Sequence, residues 1–591
     1  MSSDTPLSRV LFINLSSWSF HTEERPDLFQ ERLGGAGAAI RLLEECCPQG
    51  ADPLGPENPI IFSVGVATAL FPLASKCVAM FKSPLTGNLG ESHAGGRTAV
   101  AIRSAGYGAI VITGKASHPV YLSITKDGVA FRDARALWGT GRSDTAARII
   151  RSKDGTPGTR TILRIGRAGE NLVRYASVTS ETYRHFGRMG LGAVFGSKKL
   201  KAVLISGDNI IEVSDRKRYR DLYDRLYDQV TRSPLMQKYH EIGTPVNVKS
   251  LSAMGSLPVK NLTEQRLEGS DQLSGEEFAR LFLSRRVACS HCPVSCIHIG
   301  QIRIPYPNDP YFYKTIPVSY DYELIYALGF MLGVSDPTDV LNLIDIIEQT
   351  GVDAMSAGVC AAWATEAMIH GLIDEQMTGG IRLSFGDAKQ YLAFFESLAR
   401  QKGEFYQNLG KGVSFAASVY GGDEYALAFG KNEMAGYHTG PAAYIGYICG
   451  ARHSHLDNAG YSVDQKPTEK FPETPEKIAE ELYEEEAYRQ ILSGLVVCFF
   501  ARGLYTREII QEVLSVCGIS MTIEELDALG RTILAEKYRF KVREGFSLEP
   551  DSVPIPKRIL ELPSGRGGIE EEVIRRGVAR YKELLENKTS E

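Results

Sequence analysis

Residues 202–230 read Ala202-Val-Leu-Ile205-Ser-Gly-Asp208-Asn-Ile-Ile-Glu-Val-Ser-Asp-Arg-Lys-Arg-Tyr219-Arg-Asp-Leu222-Tyr223-Asp-Arg-Leu226-Tyr227-Asp-Gln-Val230, and the hydrophobic period changes inside them. Ala202–Ile205 is a short apolar run closed by turn residues, as expected of a buried strand. Beyond Asp208 the apolar residues Tyr219, Leu222, Tyr223, Leu226, Tyr227 and Val230 recur at helical spacing with charges between them. Upstream, the runs Val10–Leu15, Ile60–Val66, Ala109–Thr113, Val120–Thr125 and Thr161–Ile165 predict strands, separated by turn signals such as Gly34-Gly35, Gly95-Gly96 and Asp127-Gly128. Only a few helical stretches interrupt them, for example Ala38–Cys46 and Ser143–Arg151. Downstream, Thr522 and Glu525 form a capping-box signature ahead of Leu526, Leu529, Ile533 and Leu534, and Ile569–Leu585 reads as a charged amphipathic helix. The acidic run Glu473–Glu486 reads as a solvated helix face. The expectation is an α+β chain, β-rich over residues 1–208 and α-rich from 209 onward.

At 591 residues the chain can hold several cores, and 43% apolar with 23% charged residues is ordinary for a globular protein. A net charge of −5 argues against a general nucleic-acid binder. No run reaches eighteen apolar residues, and the N-terminus lacks a basic region followed by an apolar one, so neither a membrane span nor a secretory signal is expected. Ten cysteines without a signal fit a reducing compartment, and the expected location is cytoplasmic.

The sharpest local motif is Cys289-Ser-His-Cys292-Pro-Val-Ser-Cys296. Three thiols at this spacing can converge on one soft metal centre, either an iron–sulfur cluster or a structural zinc that recruits His291 or His298. Spacing alone favours the cluster and leaves its fourth ligand open, with Cys46, Cys47 and Cys498 among the remaining thiols. The second motif, Arg184-His-Phe-Gly187-Arg188-Met-Gly190-Leu-Gly192-Ala-Val-Phe-Gly196-Ser-Lys198, puts glycines and cations where backbone N–H groups could approach an anion. It is neither a Walker A loop nor a clean GxGxxG fingerprint, and a simple glycine turn explains it equally well.

These segments, with Leu33-Gly-Gly-Ala-Gly37, Asp52-Pro-Leu-Gly-Pro-Glu-Asn58, Lys82-Ser-Pro-Leu-Thr-Gly87, Ala105-Gly-Tyr107, Ile165-Gly-Arg-Ala-Gly-Glu170 and Cys498, occur in an order that resembles the aldehyde ferredoxin oxidoreductase family of tungsten or molybdenum bis-pterin enzymes. The resemblance implies an N-terminal double β-sheet domain that carries the cofactor, followed by two α-helical domains. These would be residues 209–425, with Cys289, Cys292 and Cys296, and residues 426–591, with His455 and Cys498. It implies that Cys289, Cys292, Cys296 and Cys498 bind one [4Fe–4S] cluster. It implies a bis-pyranopterin contacted by Lys76, His93, Gly95, Arg184, Phe186, Gly187 and Arg188, and allows a Mg2+ ion bridging the pterin phosphates. Two pterin motifs of the form Asp-x-x-Gly-Leu-(Asp/Cys) correspond to Glu348-Gln-Thr-Gly351-Val-Asp353 and to the degraded Ser493-Gly-Leu-Val-Val497-Cys498, so Glu348, Asp353, Ser493 and Val497 join the expected cofactor contacts. Lys76 stands where arginine is usual, His93 where asparagine is usual and Ala36 where arginine is common.

By the same resemblance Glu323, in Tyr320-Asp321-Tyr322-Glu323, and His455, in Arg452-His-Ser-His-Leu456, are the expected catalytic pair. A carboxylate in a desolvated cavity is expected to have a raised pKa. His453 is an extra histidine, and Tyr437-His438 replaces the usual Tyr-Asp. Without the resemblance, Glu323 would read as a helix-start charge and the histidines as partly buried loop residues. The implied activity is oxidation of an aldehyde with water to a carboxylic acid, with electrons leaving for ferredoxin or a ferredoxin-like subunit in a homodimer or hetero-oligomer. Aryl-CoA (benzoyl-CoA type) reduction on the same scaffold, and a non-catalytic electron-relay or assembly subunit, are the alternatives.

Overall fold

Among the described residues twelve strands precede Asp208, the apolar runs supplying the inner ones: β1 (Arg9–Asn14), β2 (Ser19–Glu24), β3 (Ile60–Ser63), β4 (Cys77–Lys82), β5 (Leu89–Ala94), β6 (Ala109–Thr113), β7 (Val120–Thr125), β8 (Gly128–Asp133), β9 (Thr159–Ile165), β10 (Val178–Ser180), β11 (Arg184–Phe186) and β12 (Leu200–Gly207). The computed structural model describes residues 7–181 and 183–587. The strands form two six-stranded sheets, β2-β1-β6-β3-β4-β5 and β11-β10-β9-β12-β7-β8. Among the described residues only β1–β6 and β12–β7 pair in parallel. Strands β3, β4 and β12 are buried along their whole length, which is why they read as continuous apolar runs rather than alternating ones. Phe62 of β3 meets Phe186 of β11 and Phe195, with ring centroids 5.4 and 6.2 Å apart, so aromatic packing ties one sheet to the other.

Beyond Asp208 the chain is mostly helical. The expected helix at Tyr219–Val230 is Arg216–Arg232, and its Leu222, Leu226 and Val230 are buried. The capping box at Thr522 is present: Thr522 N donates to Glu525 Oε2 at 2.7 Å and Glu525 N donates to Thr522 Oγ1 at 3.1 Å. Two expectations need correction. First, the α-rich part contains a three-stranded antiparallel sheet, β13 (Leu283–Val287), β14 (Ile297–Tyr306) and β15 (Asp309–Tyr320), with the cysteine motif in the loop between β13 and β14. The β14–β15 hairpin projects outward and leaves Tyr311 88% exposed, so its outer half has no buried face to impose a clear alternation.

Second, the acidic run is only partly a solvated face. In helix Pro475–Gly494, Glu476 and Glu480 pair with Arg576 and Arg580 of the C-terminal helix Glu571–Asn587 at 2.8 and 2.7 Å, and Glu484 pairs with Arg531 at 2.9 Å. Glu486 is fully buried and accepts from Ala451 N, Asn458 Nδ2 and Tyr581 Oη at 2.7–3.1 Å. Burial and the nearby Asp457 charge push its carboxyl up to about 7.

Helix Pro475–Gly494 ends against the base of the N-terminal domain. Gly35 opens helix Gly35–Cys46 at φ +43°, and a Cβ there would run into the backbone carbonyls of Ser493 and Gly494. Gly35→Ala is therefore expected to destabilise the fold by about 2–4 kcal/mol, combining left-handed backbone strain with overpacking. Gly50, at φ +74° with no neighbour within 4 Å, is the control. Gly50→Ala should cost about 1 kcal/mol, and denaturation midpoints measured side by side test the difference.

Candidate active site

The span Leu73–Lys76, between β3 and β4, is hydrogen-bonded to both cysteine-bearing segments. Leu73 N donates to His291 O at 3.0 Å, and Leu73 O accepts from Cys498 N at 3.0 Å. Lys76 N donates to Val496 O at 3.1 Å, and Ala74 bridges Val497. Ser290 N donates to Gly96 O at 2.9 Å, which anchors the cysteine loop to the first sheet. As a result Cys289, Cys292, Cys296 and Cys498 all line one cavity of about 580 Å³. Gly95 lies beneath them: a Cβ there would come within 2.6 Å of Cys289 Sγ and 3.2 Å of Lys76 Nζ. His291 and His298 do not line this cavity, and His298 Nε2 is bonded to His240 O at 2.9 Å. Among the described residues no three His, Cys, Asp or Glu side chains meet as a ready single-ion site. The case for a metal group therefore rests on the four thiols around one cavity and the cations that face them.

Those cations matter electrostatically. Burial raises the Cys289 thiol, but Lys76 and Arg184 outweigh it and leave Cys289 below its ordinary value. Cys292 and Cys296 have less compensation, and burial leads in pushing them up to about 12 and about 11. Burial disfavours the Lys76 ammonium, yet Cys498 and Cys289 hold it above its usual value.

The cavity continues over the glycine segment. Lys76, His93, Arg184, Gly187, Arg188, Glu348, Asp353 and Val497 line it. Gly95 abuts it through Cys289, whereas Phe186 is packed on Phe62, and Ser493 is buried beside Gly35 without reaching the cavity wall. Two of the motif's four glycines serve different ends. A Cβ on Gly187 would meet nothing within 4 Å, whereas one on Gly192 would strike the backbone of Ala176 and Ser177. Pairings that the sequence did not indicate orient this wall. Arg188 Nε reaches Asp353 Oδ2 at 3.1 Å, and His185 Nε2 reaches Glu348 Oε2 at 3.2 Å. His93 Nε2 sits 2.6 Å from Glu91 Oε1, and Glu91 in turn pairs with Lys537 at 2.5 Å.

Glu323 and His455 meet in the same cavity, with His455 Nε2 3.4 Å from Glu323 Oε1. Asp321 follows β15 and caps helix Tyr322–Ile325 by accepting from Leu324 N at 3.1 Å, which aims Glu323 from the first turn. Ser454 and Asp457 form a capping box that opens helix His455–Asn458. Tyr437 Oη donates to Glu323 Oε1 at 3.4 Å. The expectation of a raised Glu323 pKa is overturned. Burial pushes it up, but the hydrogen bond and charge of His455, with Tyr437, bring it below the ordinary carboxylate range. The adjacent Asp321 carries the raised value instead, about 6, through burial and the Glu323 charge. His453 faces away, held by Tyr447 O at 3.0 Å and Lys541 at 3.2 Å, and His438 bonds Tyr444 and Leu562 O. Asp321, Tyr437 and Arg489 are cavity residues that sequence reasoning did not select. A carboxylate two residues before Glu323 was the available signal for the first.

An implied cofactor can be tested against these walls. Arg184 Nε, Arg188 Nη1, Asn432 Oδ1 and His455 Nδ1 are buried, lack hydrogen-bond partners among the described residues and belong to cavity-lining residues. With the open space above Gly187 and the cationic field around the thiols, they fit a polar, anionic pterin group beside a thiolate-bound cluster.

The same architecture occurs in the solved active-site complex BamBC of benzoyl coenzyme A reductase with 1,5-dienoyl-CoA. The TM-score is 0.83 at 21% identity, covering 98% of this chain and 94% of that one. Residues 10–207 match the profile of the aldehyde ferredoxin oxidoreductase N-terminal domain, and residues 221–587 match that of domains 2 and 3. The chain belongs to the aldehyde ferredoxin oxidoreductase family, a family of oxidoreductases. It is 30% identical to the tungsten-containing aldehyde ferredoxin oxidoreductase of Pyrococcus furiosus over 95% of this chain and 92% of that protein. It is also 30% identical to that of Thermococcus kodakarensis, over 98% and 94%. The aliphatic sulfonate oxidoreductase WOR-like subunit of Pyrococcus furiosus is 29% identical over 64% of this chain and 61% of its own length. No helix among the described residues is long and apolar enough to cross a membrane.

Gly187 and the thiols give a joint prediction. Gly187→Val should reduce metal and pterin content while the fold persists, because the added side chain enters space the protein leaves open. Cys498→Ser should lower iron content and alter the cluster's electron paramagnetic resonance signal. Cys517→Ser should leave both unchanged, since Cys517 lies outside the cavity and contacts Val66 O. Elemental analysis and spectroscopy of the three variants decide.

Proposed function

We propose that this chain oxidises an aldehyde and water to a carboxylic acid, releasing two protons and passing two electrons one at a time through a [4Fe–4S] cluster to ferredoxin or a ferredoxin-like subunit. The observation that carries the reading is the Glu323–His455 pair, 3.4 Å apart in the cavity that four cysteines also line. In this reading Cys289, Cys292, Cys296 and Cys498 hold the cluster, and Lys76, Arg184, Arg188, His93, Glu348 and Asp353 hold a tungsten bis-pyranopterin. When bound, that group supplies the two-electron acceptor next to the substrate. The division into a β-rich domain to residue 208 and helical domains 209–425 and 426–591, and a cytoplasmic location, are parts of the same reading.

The protein's own contribution is proton management. Glu323, kept ionised by His455 and Tyr437, is ready to accept a proton from the attacking water. His455 Nδ1, buried and unpartnered, faces no competing acceptor or donor and can bond a substrate oxygen. Asp321, whose carboxyl titrates near 6, gives the proton a second carboxylate to occupy. The 30% identity to tungsten-containing aldehyde ferredoxin oxidoreductases over nearly the whole chain supports the choice of chemistry.

Glu323→Gln is expected to lower aldehyde turnover by about 10²- to 10⁴-fold, the usual share of a general acid–base group, with tungsten and iron contents unchanged. His455→Ala should fall by a similar factor. An artificial one-electron acceptor allows the assay without the natural partner. A fully loaded Glu323→Gln protein that turns over at the parent rate would sink this mechanism.

A further inference from the structure

The wall of the cavity next to His455 carries a guanidinium that the chemistry above does not use. Arg489, in helix Pro475–Gly494, lines the cavity and is 1% exposed. Its Nε donates to Glu485 Oε1 at 2.7 Å and its Nη1 donates to Leu456 O at 2.6 Å, which ties it to the residue that follows His455. Its plane lies over the Phe499 ring at 5.1 Å. Its Nη2 is buried and has no partner. A buried charged donor left unpaired is costly, so the fold keeps this nitrogen available for an acceptor that the described residues do not supply.

A second guanidinium stands nearer the mouth. Arg502 lines the same cavity, keeps 35% of its side chain exposed, donates through Nη1 to Phe499 O at 3.0 Å and approaches Glu485 only to 4.0 Å. Two arginines thus share one carboxylate, and this end of the cavity is left with excess positive charge. Aromatic rings line the approach: Tyr239 stacks on Phe500 at 4.4 Å and Tyr437 on Tyr461 at 4.3 Å. An exposed cation leading to a buried one, with flat apolar walls, draws in and orients a planar anion.

We infer that the substrate is an aromatic aldehyde that also bears a carboxylate, with the carboxylate held by Arg489 Nη2 and Arg502 while the aldehyde lies against Glu323 and His455. The inference rests on the aldehyde-oxidising reading and sharpens it from a reaction to a substrate class. It also explains why Arg489 is bonded to the backbone of the short helix that carries His455: the same interaction sets the distance between the anion site and the imidazole.

The test uses the metal-loaded protein with 4-carboxybenzaldehyde and its neutral isostere 4-formylbenzamide. The parent should prefer the carboxylate substrate in kcat/KM by about 10- to 100-fold, the range expected for a charge-assisted hydrogen bond in a desolvated site. Arg489→Gln should erase that preference, chiefly through KM for the carboxylate substrate, with tungsten and iron contents retained. Equal kcat/KM for the two substrates in the parent overturns the inference. So does loss of tungsten in Arg489→Gln, which would assign the guanidinium to the cofactor. If the parent oxidises neither compound, the proposed reaction fails, and equilibrium binding still judges the anion site. Benzoate should then bind the parent at least 10-fold more tightly than benzamide and lose that margin in Arg489→Gln, and equal binding overturns the inference.

Discussion

Four residues of backbone, Leu73–Lys76, hold the site together. Through Leu73 alone the chain joins His291 of the cysteine loop to Cys498, and through Ala74 and Lys76 it adds a short ladder to Val496 and Val497. Side-chain packing could tolerate small slips between domains, but backbone hydrogen bonds fix register to a few tenths of an ångström. The two cysteine-bearing segments are therefore positioned against the N-terminal domain rather than against each other. The Gly35 contact with the end of helix Pro475–Gly494 secures the same junction from the other side.

Around that junction the fold collects buried charge. Glu91, Lys537 and His93 form one chain of contacts, Arg188 and Asp353 another, and Glu323 and His455 a third, all on the cavity wall or directly behind it. Buried pairs of this kind are poor stabilisers against apolar packing, because desolvation offsets most of the Coulomb gain. Their value here is functional: they keep side chains in fixed orientations and set which carboxylate holds a proton. The opposite pKa directions of Glu323 and Asp321, two residues apart, come from one having an imidazole and a phenol at hand and the other facing the first one's charge.

Much of this was legible in the sequence, for physical reasons that also mark the limits. Ala109–Thr113 and Val120–Thr125 are strands with the expected ends, because a buried strand must be apolar throughout and its turns must carry glycine or aspartate. The Thr522 capping box is local and was readable as such. The β14–β15 hairpin was missed because its outer half is solvated on both faces, which removes the alternation that signals a strand. The acidic run misled because a glutamate looks the same in sequence whether water or an arginine a hundred positions away receives it, as with Glu480 and Arg580. The four cavity cysteines were accessible through motif order. The long-range partners of the site residues were not, since Tyr437 with Glu323 and Asp353 with Arg188 are tertiary facts. The sign of the Glu323 shift followed from those partners and not from burial alone.

The tie between Leu73 and both cysteine segments also orders events in time. Translation delivers the N-terminal domain and the three clustered cysteines first, and Cys498 lies some two hundred residues further along. A chain growing at about 5–20 residues per second leaves the first three thiols without their fourth companion for roughly ten seconds or more. The ladder to Val496 and Val497 cannot form before those residues leave the ribosome, so this wall of the cavity stays open until then. A group held by all four thiols therefore finds its complete set only after Cys498 has been made and docked against Leu73.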